Sequence, residues 1–86
     1  MIFDVTVDVS LRAGVADPQG ATIERSLPTL GFDGVSGVRV GKSISFEIES
    51  EDEVSARAEV EDLSRRFLTN PVIEDSSITL RSRETV

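Results

Sequence analysis

The chain has 86 residues, enough for one small domain and no more. Nine cationic against 16 anionic side chains give a formal charge of −7, which argues against a nucleic-acid backbone or an anionic membrane as partner. With no Cys and no His, the chain cannot form a disulfide, a zinc–thiolate site or a Ser-His or Cys-His catalytic pair.

Phe3, Val5, Val7 and Val9 alternate with Asp4, Thr6 and Asp8. A period of two describes a strand with one buried and one polar face. Arg12-Ala13-Gly14-Val15 breaks the pattern as a loop. Asp17-Pro18 then starts a helix: the carboxylate can accept from free N–H groups, and Pro has no N–H to leave unpaired. Ile23, Leu27 and Leu30 give that helix an apolar stripe. Gly31 suits the left-handed position past its end, with Phe32 packing back on Leu27. Pro28 conflicts with a regular helix there, at a cost of about 3 kcal/mol. The spacing predicts a kink, or a water on the Glu24 carbonyl; an end at Ser26 is the rival reading.

Val38 and Val40 predict a second strand, and Ile44, Phe46 and Ile48 a third, joined by a hairpin turn at Gly41-Lys42. Ser50-Glu51-Asp52-Glu53 matches a capping box and opens a second helix over 51–68. Its inner stripe is read as Ala56, Val60, Leu63 and Phe67, with Arg57, Glu61, Ser64 and Arg65 toward water. Asn70 can take the left-handed position after it, and Pro71 prevents continuation. Val72-Ile73 and Ile78-Thr79-Leu80 form a last strand, bent near Asp75-Ser76, and 81–86 fray. The class is α+β, in the order strand-helix-strand-strand-helix-strand: an antiparallel sheet with two helices on one face, in a single domain over 1–86.

No segment carries a strong catalytic motif. Gly41-Lys42-Ser43 lacks the upstream Gly of a phosphate loop, since position 36 is Ser. Asp4 with Asp8, and Glu47 with Glu49, place carboxylates on one strand face, but a small sheet face offers little concavity for acid–base work or a hard cation. Arg12, Arg39 and Lys42 lie in loops or at a strand end, where they suit either local ion pairs or contact with a larger partner. No apolar run approaches the ~20 residues that span a bilayer. No basic-then-apolar segment opens the chain, and a soluble cytoplasmic protein is the expectation. A domain this small hides about 60–65% of its unfolded surface, so association is expected as a homodimer or dimer of dimers.

Three runs stand out: Asp17-Pro18-Gln19-Gly20, Val38-Arg39-Val40-Gly41-Lys42 and Asn70-Pro71-Val72-Ile73-Glu74-Asp75, with Leu30-Gly31-Phe32 between the first two. In this order the chain resembles the PurS family, the small subunit of phosphoribosylformylglycinamidine synthase, from Phe3 to about Leu80. The resemblance implies a subunit without catalytic residues that joins a large ATP-dependent synthase subunit to a glutaminase in purine biosynthesis. It implies that ATP and Mg bind the large subunit, and that this chain binds no cofactor. Asp17, Gln19, Arg39, Lys42, Asn70, Glu74 and Asp75 are the candidate structural or partner contacts. Three positions depart from the family's habit: Ala16, where members often carry a bulkier apolar residue, and Ser43 and Ser76, where they often carry aromatics.

Two other readings fit the same element order. A ligand-binding regulatory module of the amino-acid-sensing type would hold its effector at the loop 12–16, but Asp17-Pro18-Gln19-Gly20 is not its signature. An acylphosphatase-like enzyme needs an Arg-bearing loop after the first strand and an Asn on the second. Arg12 is present, but that Asn is not.

Overall fold

The computed structural model describes residues 1–83. Three strands form one antiparallel sheet: β1 (Ile2–Leu11), β2 (Gly41–Glu49) and β3 (Glu74–Ser82), in the order β2-β1-β3. The helices are α1 (Pro18–Ser26) between β1 and β2, and α2 (Glu53–Leu63) between β2 and β3. The α+β class and the antiparallel sheet are those expected from the sequence.

The central strand orders the rest. Phe3, Val5, Val7 and Val9 are all buried, and the two middle apolar rows continue across both neighbours. Val5 lies opposite Phe46 and Leu80, and Val7 opposite Ile44 and Ile78. Such cross-strand apolar pairs stabilise a sheet and fix its register, because a slip by one residue would turn every Val to the polar face. Ala56 and Val60 of α2 close the core over this face.

The sheet has three strands, not four. Val38 and Val40 precede β2 as extended chain and pair with no strand, and Gly41 and Lys42 are the first two residues of β2 rather than a turn. The reason lies in the helix beside them. The Asp17 carboxylate accepts from the Val40 N–H at 2.7 Å and that of Glu24 from the Val38 N–H at 2.9 Å, so these donors are already satisfied. β3 is likewise continuous from Glu74, with Val72 and Ile73 in the turn before it. The fraying expected from 81 does not occur at its start: Arg81 and Ser82 complete β3, and Arg83 bonds back to Asp4. Residues 84–86 lie outside the described residues.

Pro28 ends α1 early, the rival of the two readings. The helix stops at Ser26, and the Glu24 carbonyl accepts a tightened bond from Leu27 N–H at 3.4 Å, so the N–H that proline lacks is not required. A 3-10 turn, Pro28–Leu30, carries the chain to Gly31, which takes the left-handed conformation at φ 95°. Phe32 N–H then bonds the Leu27 carbonyl and Gly31 N–H the Pro28 carbonyl, both at 3.0 Å, which completes a Schellman ending. Its hydrophobic half is weak, since Phe32 remains more than half exposed.

Helix α2 takes its cap from Asp52, not Ser50. Asp52 caps it by accepting from Ser55 N–H at 2.7 Å, while Ser50 N–H closes the sheet by bonding the Met1 carbonyl. Its inner stripe is Ala56, Val60, Ser64 and Leu68, not Leu63 and Phe67. A π turn, Ser64–Leu68, closed by Thr69 N–H to the Ser64 carbonyl at 2.9 Å, retains this phase to the helix end. Ser64, expected toward water, is 2% exposed, and its hydroxyl meets those of Thr69 and Ser76 at 3.0 and 3.1 Å. Asn70 does not take a left-handed conformation; its side chain accepts from Val72 N–H and its carbonyl from Ile73 and Glu74.

Of the residues expected in the core, Ile23, Leu63 and Phe67 are exposed, and no α1 side chain packs against the core cluster. The α2 phase yields a sharp contrast. Val60→Ala should cost about 2 kcal/mol, near the low end for a large-to-small core change. Phe67→Ala, at a side chain 82% exposed, should change stability by less than about 0.5 kcal/mol. Urea unfolding midpoints of the two variants check this, and equal losses would return Phe67 to the core.

Candidate functional site

The three sequence runs converge at one end of the sheet. β1 finishes there, β2 and β3 start there, and register pairs Leu11 with Glu74, Ser10 with Gly41 and Asp75, and Val9 with Lys42 and Ser76. The loop after β1, the first turn of α1, the chain at 38–40 and the turn 70–73 meet around that end.

Asp17 is the most heavily used side chain in this cluster. One carboxylate oxygen accepts from Gly20 N–H at 2.8 Å and caps α1, and the other accepts from Val40 N–H at 2.7 Å. These backbone bonds, Gly20's first, hold its acid below the ordinary value of 3.8, with the Arg39 guanidinium adding to the effect against a smaller cost of burial. Gly20 is buried where the helix meets the Val38 carbonyl oxygen, and a Cβ at position 20 would collide with that atom. The first two runs therefore clamp each other: cap, close approach and backbone bonds act between them.

Arg39 reaches back across the loop, donating to the Val15 carbonyl at 3.1 Å and the Arg12 carbonyl at 3.3 Å. Arg12 in turn donates to the Glu74 carbonyl at 3.4 Å and pairs with Asp75 at 3.3 Å. Glu74 accepts from Asn70 N–H at 2.7 Å and tightens the turn that starts β3. Arg12 is about half and Asp75 about two-thirds exposed, so their pair orients the loop more than it stabilises the fold.

Five of the seven candidate residues thus hold the local structure: Asp17, Arg39, Asn70, Glu74 and Asp75. Gln19 and Lys42 differ. Both are exposed, and their side chains have no hydrogen bond or ion pair among the described residues. With Asp17 and Glu74 they line one open concavity of about 360 Å³, floored by Val9 and Leu11. Lys42 borders a second of about 480 Å³ with Asp75 and Ser76. Both open to solvent, and among the described residues no hydrogen bond joins a Ser hydroxyl to a carboxylate or to Lys42 in either. Among the described residues no group of three Asp or Glu could hold a metal ion. No described helix is long and apolar enough to cross a membrane.

Sequence reasoning missed two contributors. Glu24 fixes Val38 from the next turn of α1, and only its position one turn beyond Gly20 could have hinted at it. Arg83 bonds Asp4 at 3.0 Å and also pairs with Glu47. Asp4 and Glu47 face each other across β1 and β2, so the guanidinium resolves a like-charge pair on the polar face. Hydrogen bonds donated to Asp4 and then to Glu47 raise the Arg83 pKa further.

Together these features define a small α+β module whose ordered loops gather at one sheet end. Residues 4–82 match the family model described as PurS: phosphoribosylformylglycinamidine (FGAM) synthase. The chain belongs to the PurS family. It is 39% identical over 83 residues to the PurS subunit of this synthase from Methanocaldococcus jannaschii, covering 96% of this chain and 100% of that protein. It is 44% identical over 77 residues to the corresponding subunit of Mycobacterium leprae, covering 90% and 94%. A chain in the structure of PurLQS from Thermotoga maritima superposes with a TM-score of 0.86 at 36% identity, covering 93% of this chain and 98% of that one. The amino-acid-sensing alternative is not favoured by any of these matches.

The clamp makes a pH-dependent expectation. A carboxylate with its pKa depressed in the fold contributes its stability above 3.8 and loses it as pH falls through the lower folded value. NMR titration of Asp17 should therefore centre below 3.8, with Val40 amide exchange accelerating over the same range. A midpoint at or above 3.8 would contradict the clamp.

Proposed function

We propose that this chain is the non-catalytic small subunit of phosphoribosylformylglycinamidine synthase, joining the glutaminase to the large ATP-dependent subunit in purine biosynthesis. The observation that carries the reading is family membership over nearly the whole chain, together with a residue inventory unsuited to the chemistry. Glutaminase chemistry of the expected kind needs a thiol nucleophile, and the chain has no Cys. The ligase step needs a phosphate cradle, which the sequence does not offer. ATP and Mg belong to the large subunit in this reading, and the protein works in the cytoplasm as a homodimer or dimer of dimers.

The physical contribution is proximity. Ammonia released from glutamine is small, neutral in its reactive form and quickly lost to solvent. A subunit that holds the glutaminase against the synthase raises the effective concentration of ammonia at the acceptor without altering the chemical step. Gln19 and Lys42 are the contacts of choice toward the other subunits, because the fold does not use their side chains. The other five candidate residues shape the loops that carry them.

The test compares glutamine-driven with ammonium-driven formation of formylglycinamidine ribonucleotide in the three-subunit mixture. Omitting this chain should abolish most glutamine-driven turnover and spare the reaction at saturating ammonium. Undiminished glutamine-driven turnover without it would overturn the bridging role. Lys42→Glu should weaken assembly several-fold with an unchanged unfolding midpoint for the chain alone. Normal assembly by that variant would remove Lys42 from the interface.

A further inference from the structure

A further concavity, of about 410 Å³, opens between the second half of α2 and the first residues of β3. Three of the chain's nine cations border it, Arg12, Arg57 and Arg65, and so do three carboxylates, Glu61, Glu74 and Asp75. Most of these charges have partners. Asp75 pairs with Arg12, Arg65 with Asp62, and Glu74 accepts from Asn70 N–H. The groups left over decide what the cleft can hold. Arg57 and Glu61 lie one helical turn apart on α2, and neither side chain has a hydrogen bond or ion pair among the described residues. The Arg12 guanidinium donates a single hydrogen bond among those residues, from Nε to the Glu74 carbonyl. Its orientation is therefore fixed while both terminal nitrogens remain unused.

The inner wall of the cleft adds another donor. Ser64 is 2% exposed, and its hydroxyl donates to that of Ser76 at 3.1 Å. A hydroxyl has one proton, so the 3.0 Å bond between Ser64 and Thr69 must be donated by Thr69. The protons run in one direction, Thr69 to Ser64 to Ser76, and the Ser76 proton is spent on no described group. Each bond in such a chain polarises the next, which strengthens the last donor. Ser76 is exposed and borders the cleft. The unused groups are thus two guanidinium faces and one hydroxyl, all donors, with a single carboxylate acceptor, Glu61.

We propose that this cleft binds a small phosphorylated sugar: Arg12, Arg57 and Ser76 hold the phosphate, and Glu61 accepts from the sugar hydroxyls. A phosphate monoester carries up to two negative charges and three strong acceptor oxygens, and planar guanidinium forks match it in charge and geometry. Hydroxyls of a sugar satisfy a carboxylate without adding charge. A bare anion would leave Glu61 unpaired and repelling it, and an uncharged sugar would leave both guanidinium faces unused. The volume lies within the span of about 300–1,000 Å³ common to small-molecule sites. The inference goes beyond the proposed function: it gives the chain a ligand of its own, in a cleft that neither Gln19 nor Lys42 lines, and it takes no part in the transfer of ammonia.

NMR titration of the ¹⁵N-labelled full chain with ribose 5-phosphate, inorganic phosphate or ribose, at equal ionic strength, tests the assignment. Ribose 5-phosphate should shift the Ser64, Thr69 and Ser76 amides and the Arg57 side-chain resonance saturably. Inorganic phosphate should shift the same set with several-fold weaker affinity, and ribose should shift none of them. Arg57→Gln should weaken ribose 5-phosphate several-fold, and Ser76→Ala, which leaves Ser64 bonded to Thr69, should act in the same direction. Glu61→Gln should abolish the advantage of ribose 5-phosphate over phosphate, a loss that a plain anion site would not show. Equal affinity of the native chain for the two phosphates overturns the proposal. So do shifts spread over the remote cations Arg25 and Arg81, or the absence of any saturable shift. The titration uses the isolated chain, so its failure is separate from failure of the glutamine-transfer assay.

Discussion

Burial of one face of β1 is the constraint on which the rest of the structure depends. Phe3, Val5, Val7 and Val9 are at most 3% exposed, and each contributes about 1.5–3 kcal/mol by leaving water. No other element buries so complete a row. β1 pairs along nearly its full length with both neighbours, so it also sets the register of β2 and β3. Polar side chains on the opposite face follow from the same alternation. Asp4, Thr6 and Asp8 point away from the core, and Arg83 and Ser45 partner the first two.

This central strand also determines where function can reside. Its end at Leu11 is the meeting point of both other strand starts, and the loops there are held by Asp17, Arg39, Arg12 and Glu74. The clustering gives a physical meaning to the family's sequence runs. They build a stiff corner from a helix cap, a glycine close approach and a tight turn. Loops ordered beforehand lose less entropy when such a surface meets a partner.

Much of this was legible in the sequence. The period of two in β1, the Asp17 cap, the Gly31 ending and the inward phase of Ile44, Phe46 and Ile48 depend on local geometry, which sequence spacing reports directly. The misread strand and the misread Ser64 share a cause: partners distant in sequence. Val38 and Val40 have strand-like spacing, but carboxylates 14 and 23 residues earlier take their N–H groups. Ser64 reads as a surface residue until Thr69 and Ser76 are placed beside its hydroxyl. Phe67 and Ile23 read as core residues because large apolar side chains on helices are usually buried; here a π turn sustains a different phase, and α1 leaves the sheet. Among the site residues, the sequence located the right end of the molecule but did not separate the five that build it from Gln19 and Lys42.

Burial of the β1 face makes the sheet the last part of the chain to open, and backbone amide exchange tests this most directly. Val5 and Val7 amides should be the slowest, because only global unfolding opens them. The Val40 amide, held outside the sheet by the Asp17 carboxylate, should exchange faster. Protection of Val40 equal to that of Val5 and Val7 would contradict the account.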